Sequence, residues 1–201
     1  MRKDWWVPLL GIVFVALAII SFAVAGEPVA ADKGAAKVVD HYVDNKDAIQ
    51  AGAALQGLAA ALLLYFVGYL STVLRAAAGD RSMLPTLALI GAAIMSTGIA
   101  IDATISFALA EAADDLEPAG AQALQALWDN DFMPMAVGLQ VFLLSAGLAV
   151  LKYGGLPKWL AWIAVLLGVV AVTPVGFAAF VGGAVWILIT SVLLTMKARA
   201  A

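Results

Sequence analysis

A single carboxylate, Asp102, lies in the apolar stretch IAIDATISF, near the end of a long hydrophobic run. An aspartate at the centre of a membrane helix costs about 3 kcal/mol, so an acid in such a run needs a polar partner, a proton or a wetted pocket. No lysine, arginine or histidine lies in the core of any apolar run to pair with it. Asp102 is therefore the first candidate for a ligand or proton site.

Three other polar side chains are candidates for the same site. Ser106 and Gly98 share a face with Asp102 by four-residue steps, and such a small, polar face favours packing against other helices. Counted from the ends of their own runs, Gln140 lies at about the depth of Asp102 and Gln56 slightly nearer the surface. The sequence thus predicts one polar layer formed by Asp102, Gln56, Gln140 and Ser106.

This polar layer has three interpretations. The functional one is a ligand or proton site that opens toward the outer side of the membrane. The structural one is a clasp, in which a protonated Asp102 donates a hydrogen bond to Gln140 or Gln56 and fixes the positions of the helices. In the third, the Asp102 carboxylate reaches up to the membrane surface.

The surrounding elements are predicted to be membrane helices. The chain has 201 residues, of which 64% are hydrophobic and 12% charged, whereas a soluble domain is about half apolar and a quarter charged. Only helices and closed barrels satisfy their backbone in lipid, and the alternation of a barrel is absent. We therefore predict an all-α polytopic helix bundle, a single transmembrane domain over residues 1–201. Six runs of roughly membrane-spanning length are predicted at about 7–25, 51–74, 84–110, 132–151, 156–172 and 177–196.

Two of these spans have alternative interpretations. Arg2 and Lys3 before the first run resemble the start of a signal peptide, but the run is longer than usual for one, so we expect a retained span. Pro174 is expected to lie in a tight turn between the last two spans; the alternative is that it kinks one longer helix. The turns at 79–82 and 153–157 are marked by glycine and followed by proline.

The distribution of basic residues predicts the orientation. With six spans, the chain ends and the even-numbered connections fall on one side, which holds eight of the eleven lysines and arginines. The excess of basic residues marks the cytoplasmic side, so both termini are expected in the cytoplasm. These eight residues are Arg2, Lys3, Arg75, Arg81, Lys152, Lys158, Lys197 and Arg199.

The two long outer connections each predict a short amphipathic helix, and together these would form a cap over the bundle. In 26–50, Val38, Val39, Tyr42 and Val43 recur at helical spacing. In 111–131, Glu117-Pro118 is typical of a helix start, with an expected apolar face made by Leu116, Ala123, Leu124 and Leu127. We interpret His41, the only histidine, as a surface residue of the first of these helices and the neighbouring acids as solvated, so no metal site is predicted.

Sequence motifs for catalysis and cofactors are absent. The chain contains no cysteine, no HExxH, no phosphate-binding loop and no Ser-His-Asp set. We therefore predict no cofactor, and the absence of a basic block excludes nucleic acid as an expected partner. The expected partners are the lipid bilayer and, at most, other membrane proteins.

Two stretches, YFVGYLSTVLRAAAG and GLPKWLAWIAVLLGVVAVTPVGFAAFVGGAVWILITSVLL, resemble uncharacterised bacterial six-helix membrane proteins grouped under a domain of unknown function. The resemblance covers about the last three quarters of the chain. It implies a bacterial inner membrane but no activity or catalytic residues. We expect a non-enzymatic accessory, assembly or sensing component. The alternative is a proton- or cation-coupled transporter or channel-like protein that uses Asp102, and a membrane enzyme ranks third.

Overall fold

The protein is described by a computed structural model that covers residues 5–79 and 82–200. Within these residues the regular structure is helical throughout, as predicted, and no strand is present. Two short 3-10 turns, Val7–Leu9 and Ala31–Lys33, precede the first two α-helices. The α-helices are α1 (Leu10–Ala25), α2 (Ala35–Asp44), α3 (Lys46–Ala78), α4 (Leu84–Ala112), α5 (Pro118–Trp128), α6 (Met133–Tyr153), α7 (Lys158–Val170) and α8 (Gly176–Ala200).

Five helical stretches of the described chain are long and apolar enough to cross a membrane, which confirms a membrane-type helical bundle. The predicted fifth span, 156–172, is a shorter apolar helix, because α7 has only 13 residues and a length of about 20 Å. The five longer stretches are Val7–Ala25, Lys46–Ala78, Leu84–Ala112, Pro118–Tyr153 (which includes α5 and α6) and Gly176–Arg199.

Helices α7 and α8 form an antiparallel hairpin, as predicted, and not one kinked helix. The helix ends before Pro174 because a proline lacks the N–H and disfavours helical backbone in the residue before it. The Thr173 hydroxyl donates to the Val170 carbonyl (2.7 Å) and stabilises this end. Trp186 of α8 donates its Nε1–H to the Leu160 carbonyl of α7 (2.9 Å), so the two helices lie side by side.

The middle of the bundle is held by a close approach of α4 and α6 at glycines. A Cβ atom on Gly138 would lie 2.6 Å from Met95 Cα and 2.8 Å from the Gly91 carbonyl oxygen. Gly98 likewise faces the Met135 backbone. Small residues allow such contact between helix backbones, and in lipid this van der Waals packing is a main source of helix association.

A cap formed by α2, α5 and the turn Ala31–Lys33 covers one end of the bundle. Its apolar residues form a separate buried cluster with the ends of α3 and α4, including Val38, Tyr42, Ile49 and Leu109. The two predicted amphipathic helices are therefore present, and α5 begins at Pro118 as expected. The predicted apolar face of α5 is wrong in part, because Ala121 and Gln125 are its buried residues while Ala123 and Leu127 are exposed.

Candidate functional site

Asp102 is a buried carboxylate on α4, one turn from the α4–α6 contact and close to the cap. Its side chain is 8% exposed. Gln56 of α3 donates an amide hydrogen to Asp102 Oδ2 at 2.6 Å. A neutral donor satisfies one lone pair of the carboxylate but brings no positive charge, and a buried charge is costly unless it is paired. Gln56 therefore does not neutralise Asp102, and the buried carboxylate would still be stabilised by a proton or by a cation.

Ser106 lies one turn further along α4 and lines the same site. Its hydroxyl donates to the main-chain carbonyl of Asp102 at 3.1 Å, as serine does within a helix. The hydroxyl oxygen therefore keeps acceptor capacity toward the site.

The predicted fourth member, Gln140, lies elsewhere. In the antiparallel α4–α6 pair, Gly98 lies opposite Met135 and Met95 lies opposite Gly138. Residues of α6 beyond Gly138 consequently lie opposite α4 residues before Met95, away from Asp102. The structure thus brings Asp102, Gln56 and Ser106 together and leaves Gln140 nearer the middle of the bundle.

Asp102 and Gln56 open into a small cavity beneath the cap, bounded by α1, α2, α3, α4 and α5. The cavity volume is about 60 Å³. Since a water needs roughly 10–15 Å³ of such a volume, the cavity has room for a few waters or a small ion, not for a metabolite-sized ligand. Its walls are Ser21, Phe22, Ala25, Gly26, Pro28, His41, Tyr42, Ile49, Gly52, Ala53, Gln56, Asp102, Ser106 and Trp128.

The wall on the α1 side depends on Gly52. A Cβ atom there would lie 2.9 Å from the Ser21 carbonyl oxygen and 2.8 Å from Ala25 Cβ, so only glycine allows α1 to approach α3 this closely. Gly52 precedes Gln56 by one helical turn, and the two residues share a face of α3. The end of α1 is therefore held beside the Gln56 side chain.

A chain of hydrogen bonds closes the cap over the cavity. Tyr42 donates its hydroxyl to Gln125 Oε1 (2.7 Å), and Gln125 donates through Nε2 to Asp129 Oδ1 (2.8 Å). The other oxygen of Asp129 accepts from the Ala31 amide (2.9 Å). Burial, with the nearby carboxylates of Asp129 and Asp102, raises the pKa of Tyr42 well above its usual range. Its hydroxyl consequently keeps the proton that closes this chain.

The cavity wall contains an acid but no strong base. Among the described residues, Asp102 is the acidic side chain of the wall, and no lysine or arginine belongs to it. His41, the remaining titratable wall residue with basic character, is half-buried; burial lowers its pKa while the charge of Asp44 acts in the opposite direction. With a pKa below 6.5, His41 is mainly neutral at pH 7 and offers a donor and an acceptor to the cavity.

Two polar atoms at this end are buried and have no hydrogen-bond partner among the described residues: Trp128 Nε1 and Asp131 Oδ2. Trp128 belongs to the cavity wall, whereas Asp131 lies in the turn between α5 and α6 and interacts electrostatically with Asp102. Buried polar groups are normally paired, so each of these two atoms is expected to bind water or a ligand. The described residues contain no group of three or more metal-ligating side chains.

The sequence predicted a cap over this end of the bundle, with the site beneath it, but not which residues of the cap line the site. His41, interpreted as a surface residue, lines the cavity together with Tyr42 and Trp128. The helical spacing of α2 signals which residues face inward, and Val38 and Tyr42 are buried as that spacing predicts. It carries no signal that this face lies above Asp102, because that depends on how α2 packs against α3 and α4.

Comparison with known proteins gives no assignment: the chain matches no family model, no curated protein and no solved structure. The resemblance to uncharacterised six-helix proteins therefore stays a prediction, and the function has to be inferred from the site itself.

Proposed function

We propose that this protein is a non-enzymatic sensing component of the bacterial cytoplasmic membrane that binds a small cation at Asp102. In this proposal the cap faces outward and both termini lie in the cytoplasm, as the basic residues predict. The observation that carries the proposal is the Asp102 side chain, buried beside a cavity with Gln56 as its neutral partner at 2.6 Å and with no lysine or arginine among the described residues of the wall. A cation of a few ångströms, such as ammonium or an alkali-metal ion, fits both the volume and the charge.

Cation binding is favoured over a simple clasp by the polar groups that surround the pair. The Gln56 amide donates to Asp102, a contact that an ionised and a protonated carboxyl can both accept. Ser106 and His41 add further polar atoms around the same small volume.

Sensing is favoured over transport by the packing beyond the cavity. The backbones of α4 and α6 meet at Gly91, Gly98 and Gly138 on the side of Asp102 away from the cap. A permeating ion would have to pass through or around this contact. Proton- or cation-coupled transport through Asp102 is the second candidate function, and it requires α4 and α6 to separate.

The test uses the purified full-length protein in detergent, with its thermal unfolding followed while ammonium, sodium or potassium chloride is varied and choline chloride holds the ionic strength constant. A ligand at 100 times its Kd stabilises a protein by about 2.7 kcal/mol, so a bound cation raises Tm. Asp102→Asn, which keeps the shape of the side chain, is expected to abolish the cation-specific rise in Tm.

Matched controls separate the site from general effects. Glu117→Gln removes an exposed carboxylate and Gln140→Leu removes the span glutamine outside the cavity; both are expected to retain the response. A response that persists in Asp102→Asn would overturn the cation site. Cation uptake by liposomes that is Asp102-dependent would replace sensing by transport, and protease-accessible tags on the two termini test the proposed orientation.

A further inference from the structure

The opposite end of the bundle carries a second feature, a groove between α3 and α8 that leads to Lys197. Its volume is about 370 Å³, within the range of small-molecule sites. The walls are mainly apolar: Tyr69, Val73, Ala76 and Ala77 of α3, Gly155 of the α6–α7 turn, and Leu194, Lys197 and Ala198 of α8. The wall residues of α3 follow one another at helical spacing and form a stripe along the axis, which suits an extended apolar chain.

Lys197 lines the groove, and its ammonium group has hydrogen-bond donors that the described residues do not use. Its Nζ donates to the Gly155 carbonyl at 3.3 Å, a long bond to a neutral acceptor. An ammonium has three donors, and among the described residues this is the bond that Lys197 makes. The other cations at this end are engaged differently, since Arg199 stacks on Trp5 at 4.5 Å and Arg75 donates to Thr86.

This end of the protein is strongly positive. The described residues here include five cationic side chains and no carboxylate, and the two carboxylates that the sequence adds, Asp4 and Asp80, lie outside the described residues. The five are Arg75, Lys152, Lys158, Lys197 and Arg199. Basic pockets between membrane helices suit lipids with anionic head groups.

We infer that the groove between α3 and α8 is a binding site for one acidic phospholipid, with an acyl chain along the α3 stripe and the head-group phosphate at Lys197. The occupant has to combine a long apolar part with an anion at one end. Lipid satisfies both conditions, and it surrounds the groove at high concentration. The groove lies at the opposite end of the bundle from the cation cavity, so lipid binding there is independent of the proposed function.

The test measures lipid binding to the full-length protein in detergent by native mass spectrometry, with phosphatidylglycerol and phosphatidylcholine of identical acyl chains. The wild type is expected to prefer phosphatidylglycerol by about five-fold, the factor that corresponds to about 1 kcal/mol per lysine near a membrane surface. Lys197→Gln is expected to lose this preference. Lys152→Gln, an exposed cation of the same end outside the groove, is expected to keep it.

A second pair of variants tests the apolar part of the site. Ala77→Leu narrows the groove and is expected to weaken binding of both lipids, whereas Ala61→Leu on an exposed part of the same helix is expected to have no effect. Inorganic phosphate alone is expected not to stabilise the protein. Equal binding of both lipids by the wild type, equal losses in Lys197→Gln and Lys152→Gln, or stabilisation by phosphate alone would overturn the inference.

Discussion

The middle of the bundle and its capped end share helices α3 and α4 but are held by different contacts. In the middle, glycines let the α4 and α6 backbones touch, and the nearby core is made of residues such as Leu139, Phe142 and Leu143, all fully buried. At the capped end, a smaller apolar cluster is joined by side-chain hydrogen bonds within the cap, and a cavity remains beside Asp102.

The difference shows what each kind of contact allows. Closely packed apolar side chains leave no room for a cavity. If a gap opened there, every atom lining it would lose van der Waals contacts, which costs free energy. A hydrogen bond fixes only the two atoms that it joins, so the side chains around it need not be tightly packed. The bond from Tyr42 to Gln125 connects α2 and α5 in this way. We expect the middle to be the rigid part of the protein and the capped end to open locally.

The largest effect is expected from Gly138→Ala in the middle. The new methyl group would lie 2.6 Å from Met95 Cα and 2.8 Å from the Gly91 carbonyl oxygen, and backbone atoms cannot move aside as a flexible side chain does. Overpacking costs about 1–3 kcal/mol, and we expect the upper part of that range. Gly57→Ala is the control, because no described atom outside the surrounding backbone of α3 lies within 4 Å of a Cβ there. Detergent melting curves with equal Tm for the two variants would show that the middle is not the rigid part.

A smaller and local effect is expected from Tyr42→Phe in the cap. The change leaves Gln125 Oε1 without its donor in a fully buried position, which costs about 1–2 kcal/mol. Hydrogen exchange is expected to accelerate in α2 and α5 and to stay unchanged in α6 and α8. Tyr65→Phe, at an exposed tyrosine, serves as the control. Faster exchange throughout the molecule would contradict a separately opening cap.

The smallest effect is expected from the titration of His41. Burial lowers its pKa below the ordinary 6.5, so between these two values the unfolded chain binds more protons than the folded one. This contribution to stability is therefore complete above pH 6.5 and is lost as the pH falls through the pKa of the folded protein. The difference in Tm between wild type and His41→Gln, measured from pH 7.5 to 5, is expected to shift against the wild type on acidification. A constant difference would mean that the wall of the cavity does not bury His41.

Much of the fold could be predicted because it follows from local rules. The long apolar runs require helices in lipid, Pro118 and Pro174 mark a start and an end, and the helical spacing of Val38 and Tyr42 predicts α2. The length of α7 was less predictable, since an apolar run of 17 residues does not state where its helix stops. Pro174 limits how far the helix can extend, but α7 already ends at Val170, before that limit.

The site was predictable only in part. Asp102 could be identified as a candidate because a carboxylate in an apolar run costs free energy. Its partner, Gln56, was one of two glutamines predicted at a similar depth in the membrane. The choice between Gln56 and Gln140 depends on how α6 is aligned along α4. The close contacts at Gly98 and Gly138 determine this alignment. The cavity wall from α2 and α5 required the packing of the cap.

The amino-acid sequence by itself determined that the chain folds as helices in lipid, that one acid lies among them and that the basic residues collect at one end. These properties belong to single segments of the chain, so they can be predicted without knowing the contacts between segments. They are the hydropathy of a segment, the cost of burying its charge and the unequal distribution of basic residues among the loops. The tertiary structure decided which glutamine meets Asp102, that a cavity remains beside the pair and that a groove ends at Lys197. These depend on contacts between residues far apart in the chain, and such contacts are settled only when all helices pack together.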